Sequence, residues 1–273
     1  MLNGFLNAFR VKELRSKILL TVGILVLYRI GAYVPVPGIP FQGMLSAYQS
    51  SSSANSAIAV LNLFSGGALS RVSVFCLGIM PYITAQIIMQ MFQAVIPSLG
   101  TLAREGESGQ RKITQYTRYL TVALALLNSV GYLFLFKSSS FGIDFSQAGM
   151  PGWLMDTVVV VSMLAGAILI MWMGEAITQR GIGNGMSLII FANIIAGLPT
   201  SIVQSLRTAD NGVLMTVMIV VLIVAVVPFI VYIERGQRRI PVQYAKRVVG
   251  RRMMGGQTTY LPIKVNTAGV VPI

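Results

Sequence analysis

Eight carboxylates are what this 273-residue sequence offers for acid–base or metal chemistry: Glu13, Glu105, Glu107, Asp144, Asp156, Glu175, Asp210 and Glu234. None sits in the middle of an apolar run and no two make an embedded dyad, whereas an ion-coupled transporter needs an ionisable group near the membrane midplane. Histidine is absent, which removes Ser-His-Asp, Cys-His and His-metal sites in one step. The lone Cys76 lies in an apolar run. It can make no intrachain disulfide and reads as a small buried hydrophobe. Gly181, Gly183, Asn184 and Gly185 have the spacing of a phosphate loop, but no strand precedes them, so the nucleotide reading is weak. These residues give no enzyme, metal or cofactor site.

The elements that carry the remaining polar groups are apolar. Hydrophobic residues make up 55% of the chain and charged residues 11%, too little charge to cover a soluble surface. The fold class is therefore an all-α polytopic membrane protein. Apolar runs place spans near 18–34, 74–96, 119–136, 153–173, 186–203 and 213–233. With the N-terminus inside, Arg10, Lys12, Arg15, Lys17, Arg104, Arg111, Lys112, Arg118, Arg180 and the cations of 234–264 all lie inside. The outside loops then hold only Lys137 and Arg207. That asymmetry sets a cytoplasmic N-terminus and six spans. Residues 1–17 read as an amphipathic cytoplasmic helix, 97–118 as a polar loop, and 175–185 as a tight turn. Residues 265–273 turn apolar again, as the start of a truncated seventh span.

Leu61 to Ile96 departs from this pattern. A short apolar piece breaks at Gly66 and Gly67, carries Arg71, and runs into a long apolar stretch. Irregular backbone at membrane depth needs protein or trapped water around it. The segment therefore lines or closes an internal cavity, or it is an extracellular linker to an ordinary span. Pro81 inside the second span predicts a bend. Gln86, Gln90 and Gln93 share one helix face, as interhelical contacts or, less favoured, a solute path. Arg29, near the end of the first span, reads as snorkelling to the interface rather than pairing.

Residues 234–264 carry Arg235, Arg238, Arg239, Lys246, Arg247, Arg251, Arg252 and Lys264 against the single acid Glu234. Alternating Val and Tyr near 240–249, with Gly255 and Gly256 mid-loop, predict a β-hairpin or extended finger. Topology alone explains some of this charge; anionic headgroups, RNA or an acidic protein are the partners it suits.

The strings FSGGALSR (64–71), GIMPYITAQIIMQ (78–90), EGESGQRKITQYTRY (105–119), RGIGNGMSLIIFANIIAGLP (180–199), ERGQRRIPVQYAKR (234–247) and LPIKVNTAGVVP (261–272) resemble the bacterial SecY family of protein-conducting channel subunits. The resemblance covers essentially the whole chain. It implies a first half at 18–203, a sixth span at 204–233 and a cytoplasmic loop at 234–264. It implies a short plug helix at about 61–71, comprising Leu61, Phe64, Ser65, Gly66, Gly67, Ala68, Leu69 and Arg71. The pore ring would take Ile79 and Ile83 from the second span and Met186 and Ile190 from the fifth. Thr84 and Gln86 would lie along the lateral gate. Arg238, Arg239, Lys246, Arg251 and Arg252 would dock the ribosome or the SecA motor ATPase. SecE- and SecG-type small subunits, signal sequences, nascent polypeptides and anionic lipids are the other implied partners. The implied location is the bacterial cytoplasmic (inner) membrane. A solute transporter and a membrane assembly scaffold are the competing readings.

Overall fold

The computed structural model describes residues 11–37, 62, 64–137, 151–208, 212–242, 247–249, 252–254 and 259–264. The chain divides into two compact units, Met1–Thr200 and Ser201–Ile273. The first holds α1 (Lys12–Gly31), α2 (Met80–Val95), α3 (Pro97–Arg104), α4 (Glu107–Lys137), α5 (Gly152–Arg180) and most of α6 (Gly185–Thr208). The second holds the end of α6, α7 (Gly212–Arg235) and four strands: β1 (Gln237–Val242), β2 (Arg247–Val249), β3 (Arg252–Met254) and β4 (Thr259–Lys264).

Among the described residues, α4, α5 and the Val217–Arg235 part of α7 are each long and apolar enough to cross a membrane. The pair α2–α3 does so as one unit bent by 101°. Pro97 opens α3 and marks the bend. The expected polar loop at 97–118 is instead α3 and the first turns of α4. Hydropathy detects spans, not helices, and Glu107 and Arg111 support the polar turn as an i, i+4 pair at 2.8 Å. The expected turn at 175–185 shrinks to Gly181–Asn184, because α5 continues to Arg180.

The second span also starts later than hydropathy suggests, at Met80 rather than 74. Pro81 does not bend it. It occupies the first turn, where a missing N–H costs nothing, and Gly78 at φ +57° turns the chain just before.

Helix α4 shows how the bundle closes. Its buried positions Gly109, Ile113, Thr117, Thr121, Ala125, Ser129 and Leu133 recur every fourth residue. Small side chains there let backbones approach closely. The hydroxyls of Thr117, Thr121 and Ser129 donate to the carbonyls four residues back, at 2.7–2.9 Å, so no polar group is stranded in the seam. Two apolar cores result. One gathers Val36, Leu69, Val72, Cys76 and Leu77 with Phe136, Met155, Val159 and Met163. The other gathers Tyr28, Ala68, Phe75 and Ile79 with Ile170, Ile177, Met186 and Ile189.

In the second unit β1 pairs antiparallel with β4, Gln237 opposite Lys264 through Val242 opposite Thr259. Strand β2 pairs antiparallel with β3. This matches the alternating pattern that predicts a hairpin.

Two ion pairs tie α4 to α5, Lys137 with Asp156 at 2.5 Å and Arg118 with Glu175. Arg118 donates from Nε and Nη2 to both oxygens of Glu175, at 2.8 and 2.6 Å. The Glu175 side chain is only 11% exposed and that of Arg118 42%, so removing the arginine strands a carboxylate. Arg118→Ala should cost about 2 kcal/mol, discounted from a fully buried pair for the exposure of Arg118. Thermal unfolding in detergent measures this, and adding Glu175→Gln should recover most of the loss.

Candidate functional site

Positive φ values at Gly66 (+67°) and Gly67 (+85°) are open to glycine and strained for other residues. They begin a run of hydrogen-bonded turns from Ser65 to Ile79. The short helix expected over 61–71 is therefore not what residues 65–71 form, and Leu61 lies outside the described residues. The turns hold themselves: Leu69 N–H donates to the Ser65 hydroxyl, Ser70 N–H to Asn62 Oδ1, and Gly67 N–H to the Asn62 carbonyl. They are stitched to the end of α1 by Val36 N–H to the Val72 carbonyl and Val74 N–H to the Val34 carbonyl, 2.9 and 3.0 Å. Val72 sits at φ +42°, an outlier for a β-branched residue, and this stitching holds it there.

The segment is among the most deeply buried parts of the chain. Ala68 and Val72 are 0% exposed, and Leu69, Phe75, Cys76 and Leu77 are all buried. The reading of Cys76 as a buried hydrophobe holds. Burial of this degree suits an internal segment better than a solvated linker.

Two side chains from two helices bond the main chain at the glycine turn, and Tyr28 holds one of them. Arg29 Nη1 of α1 donates to the Gly66 carbonyl at 3.0 Å, so Arg29 pairs with the segment rather than snorkelling. Asn193 of α6, 0% exposed, donates from Nδ2 to the Phe64 carbonyl at 2.8 Å and to the Tyr28 hydroxyl at 2.9 Å. Tyr28 stacks on Phe75, ring centroids 5.5 Å apart. A β-carbon on Gly66 would stand 2.6 Å from Asn193 Oδ1 and 3.0 Å from Arg29 Nη1. Arg71 turns the other way and lies over the Tyr33 ring, 4.1 Å from its centroid.

Ile79 and Met186 are core members of the cluster that contains Ala68, and Ile83 and Ile190 pack against it while partly buried. All four expected ring residues thus belong to or pack against one apolar cluster, which also takes in Ala68 of the irregular segment. Thr84 and Gln86 do not share a face. Thr84 is exposed and donates to the Met80 carbonyl at 3.0 Å. Gln86 lines a cavity of about 250 Å³ with Tyr82, Glu175, Asn184 and Met186. The Gln86–Gln90–Gln93 stripe faces α4, sharing a cavity of about 260 Å³ with Gln110 and Thr114, which suits interhelical contact more than lipid.

Arg238 and Arg239 are exposed on β1. Being adjacent in a strand, they face opposite sides. Arg252 lies in β3, opposite Val249. Lys246 and Arg251 lie outside the described residues. Among the described residues no cluster of carboxylate or thiol side chains could hold a metal. Sequence reasoning missed Tyr28 and Asn193. The available signal was a lone amide in the apolar run IIFANIIAGL.

The SecY family model matches residues 73–273. The chain is 47% identical over 277 residues to protein translocase subunit SecY of Mycobacterium tuberculosis, covering all of this chain and 62% of that protein. Against the SecY of Corynebacterium glutamicum it is 48% identical over 275 residues, again with 62% of the relative covered. The chain thus spans less than two thirds of the length of these curated relatives. In structure it resembles a protein-conducting channel with a TM-score of 0.52 and 20% identity, over 91% of this chain and 52% of the other. A second structure, from work on the SecY plug domain and the closed state of the translocation channel, gives a TM-score of 0.52 at 21% identity with the same coverage. At that identity the structures speak for the fold.

The seating of the segment is testable through Cys76, which is 2% exposed. In membranes its thiol should react slowly with a permeant maleimide. Gly66→Ala, which combines positive φ with a clash against Asn193, should accelerate labelling about tenfold or more. Equal rates would contradict the tight seating.

Proposed function

The chain belongs to the SecY family, and from that premise we propose that it carries the pore of a protein-conducting channel. The channel passes unfolded secretory polypeptides across the bacterial cytoplasmic membrane and membrane proteins into it. One observation supports this reading: a buried, non-helical segment shares an apolar cluster with the four expected ring residues. Ala68 shares one cluster with Ile79 and Met186, and Ile83 and Ile190 pack against it. In this reading residues 61–71 are a removable stopper. The four aliphatic side chains are half of a constriction that resists ions by dewetting and fits around a chain of any sequence. Met186, unbranched and flexible, seals less tightly than a branched residue at the same place.

The remaining roles follow. Six spans place the N-terminus and the loop 234–264 in the cytoplasm. Arg238 and Arg239, facing opposite sides of β1, offer cations to a partner that embraces the finger, with Lys246, Arg251 and Arg252 further along it. The ribosome and the SecA motor ATPase are the partners in this reading, and phosphate contacts would make ribosome docking salt-sensitive. SecE- and SecG-type subunits and anionic lipids complete the assembly. A signal sequence opens the gate beside Thr84 and Gln86, the stopper leaves, and the polypeptide threads the collar. The energy comes from the partner or from translation. No residue of this chain does covalent chemistry in that sequence.

The test is photocrosslinking of a stalled secretory chain to probes at Ile79, Ile83 and Ile190 in the whole protein assembled in membranes. Adducts at all three are expected. Their absence while the chain is stalled would defeat the pore assignment.

A further inference from the structure

The grip on the glycine turn has a feature that simple closure does not require. Arg29 and Asn193 touch no side chain of the segment in these bonds; they hold the main-chain carbonyls of Phe64 and Gly66. Those carbonyls are two residues apart, the repeat along one edge of an extended chain. Asn193 is 0% exposed, and its Oδ1 has no hydrogen-bond partner among the described residues. The assignment of its two amide atoms is fixed chemically, because a carbonyl can only accept and so Nδ2 must face Phe64 O. Nearby, the Gly67 N–H is turned to the Asn62 carbonyl instead. The turn therefore satisfies the donor half of the amide and leaves the acceptor half unmet.

An extended polypeptide satisfies both halves. It presents a carbonyl and an N–H along the same edge, and a primary amide accepts one while donating to the other. We propose that Tyr28, Arg29 and Asn193 form a binding site for extended polypeptide main chain, filled at rest by the stopper's own carbonyls and taken over by the chain in transit. This rests on the channel reading above. The recognition is independent of sequence because it reads only backbone groups. Arg29 and Asn193 supply the donors, Asn193 Oδ1 the acceptor, and the Tyr28 hydroxyl holds the amide plane by its 2.9 Å bond. The stopper's hold is then relieved by exchange: each bond it loses is replaced by one to the incoming chain. No covalent step is involved.

The experiment uses the whole protein assembled as a channel in lipid vesicles. Asn193→Leu, close in size, should raise the resting ion leak roughly five- to tenfold, the population shift expected from losing one or two buried hydrogen bonds. Tyr28→Phe, which removes only the hydroxyl that orients the amide, should shift the leak in the same direction and keeps the test valid if Asn193→Leu fails to assemble. The second readout is the pause of two transiting chains, one with ordinary amides and one with a run of N-methylated residues that keep carbonyls but lack N–H. The N-methylated chain should pause for less time in the unsubstituted channel, and the two should pause equally in Asn193→Leu. A pause indifferent to N-methylation in the unsubstituted channel overturns the binding site while leaving the channel intact. No transit at all through that channel overturns the channel reading instead.

Discussion

Every main-chain polar group of an irregular segment buried among apolar helices must find its partner inside the protein, since the surrounding hydrocarbon offers none. The rest of this structure follows from that constraint. The turns from Ser65 to Ile79 answer part of it locally, through Ser65 and Asn62, and part of it by stitching to residues 34–36. What remains is answered by side chains that would otherwise be out of place in apolar helices. Arg29 and Asn193 are each a liability in lipid and each becomes useful against a buried carbonyl.

The same constraint shapes the helices. The α4 seam hides its hydroxyls by bonding them to the preceding turn. On α5, a β-carbon at Gly166 would collide with the Val74 carbonyl, so the helix backbone lies directly against the irregular segment. Glu175 stays acceptable at 9% exposure because Arg118 meets both its oxygens. In a bundle arranged this way Ile79 and Met186 share one apolar cluster with Ala68 of the segment.

Much of this was legible in the sequence, and the gaps have physical causes. The break at Gly66 and Gly67 stands out because glycine pairs are poor helix formers beside a charge in an apolar run. Ile79 and Met186 fall in one apolar cluster with Ile83 and Ile190 packed against it. The start of α2 was misjudged because hydropathy cannot separate an apolar turn from an apolar helix, and residues 74–79 are the former. The polar opening of α4 was misjudged for the opposite reason: helix propensity and hydropathy are separate properties, and 107–118 is helical without being apolar. Arg29 illustrates a deeper limit. A sequence shows a cation near a span's end, but which carbonyl 37 residues away it reaches depends on tertiary packing. Asn193 could have been flagged as a lone amide, yet its partners, from Tyr28 and Phe64, lie 165 and 129 residues away. The opposite facing of Arg238 and Arg239, by contrast, follows from adjacency once a strand is accepted.

The central claim is that the buried segment closes the collar and leaves it when a polypeptide passes. Ala68 reports on this directly, being 0% exposed and packed in the collar's own cluster. A single-cysteine form of the whole protein, Ala68→Cys with Cys76→Ser, can be probed in vesicles with a small water-soluble maleimide, with and without a stalled secretory chain. Protection at rest and rapid labelling once the chain is engaged is the predicted result. Protection that persists with the chain stalled in the membrane would contradict the account.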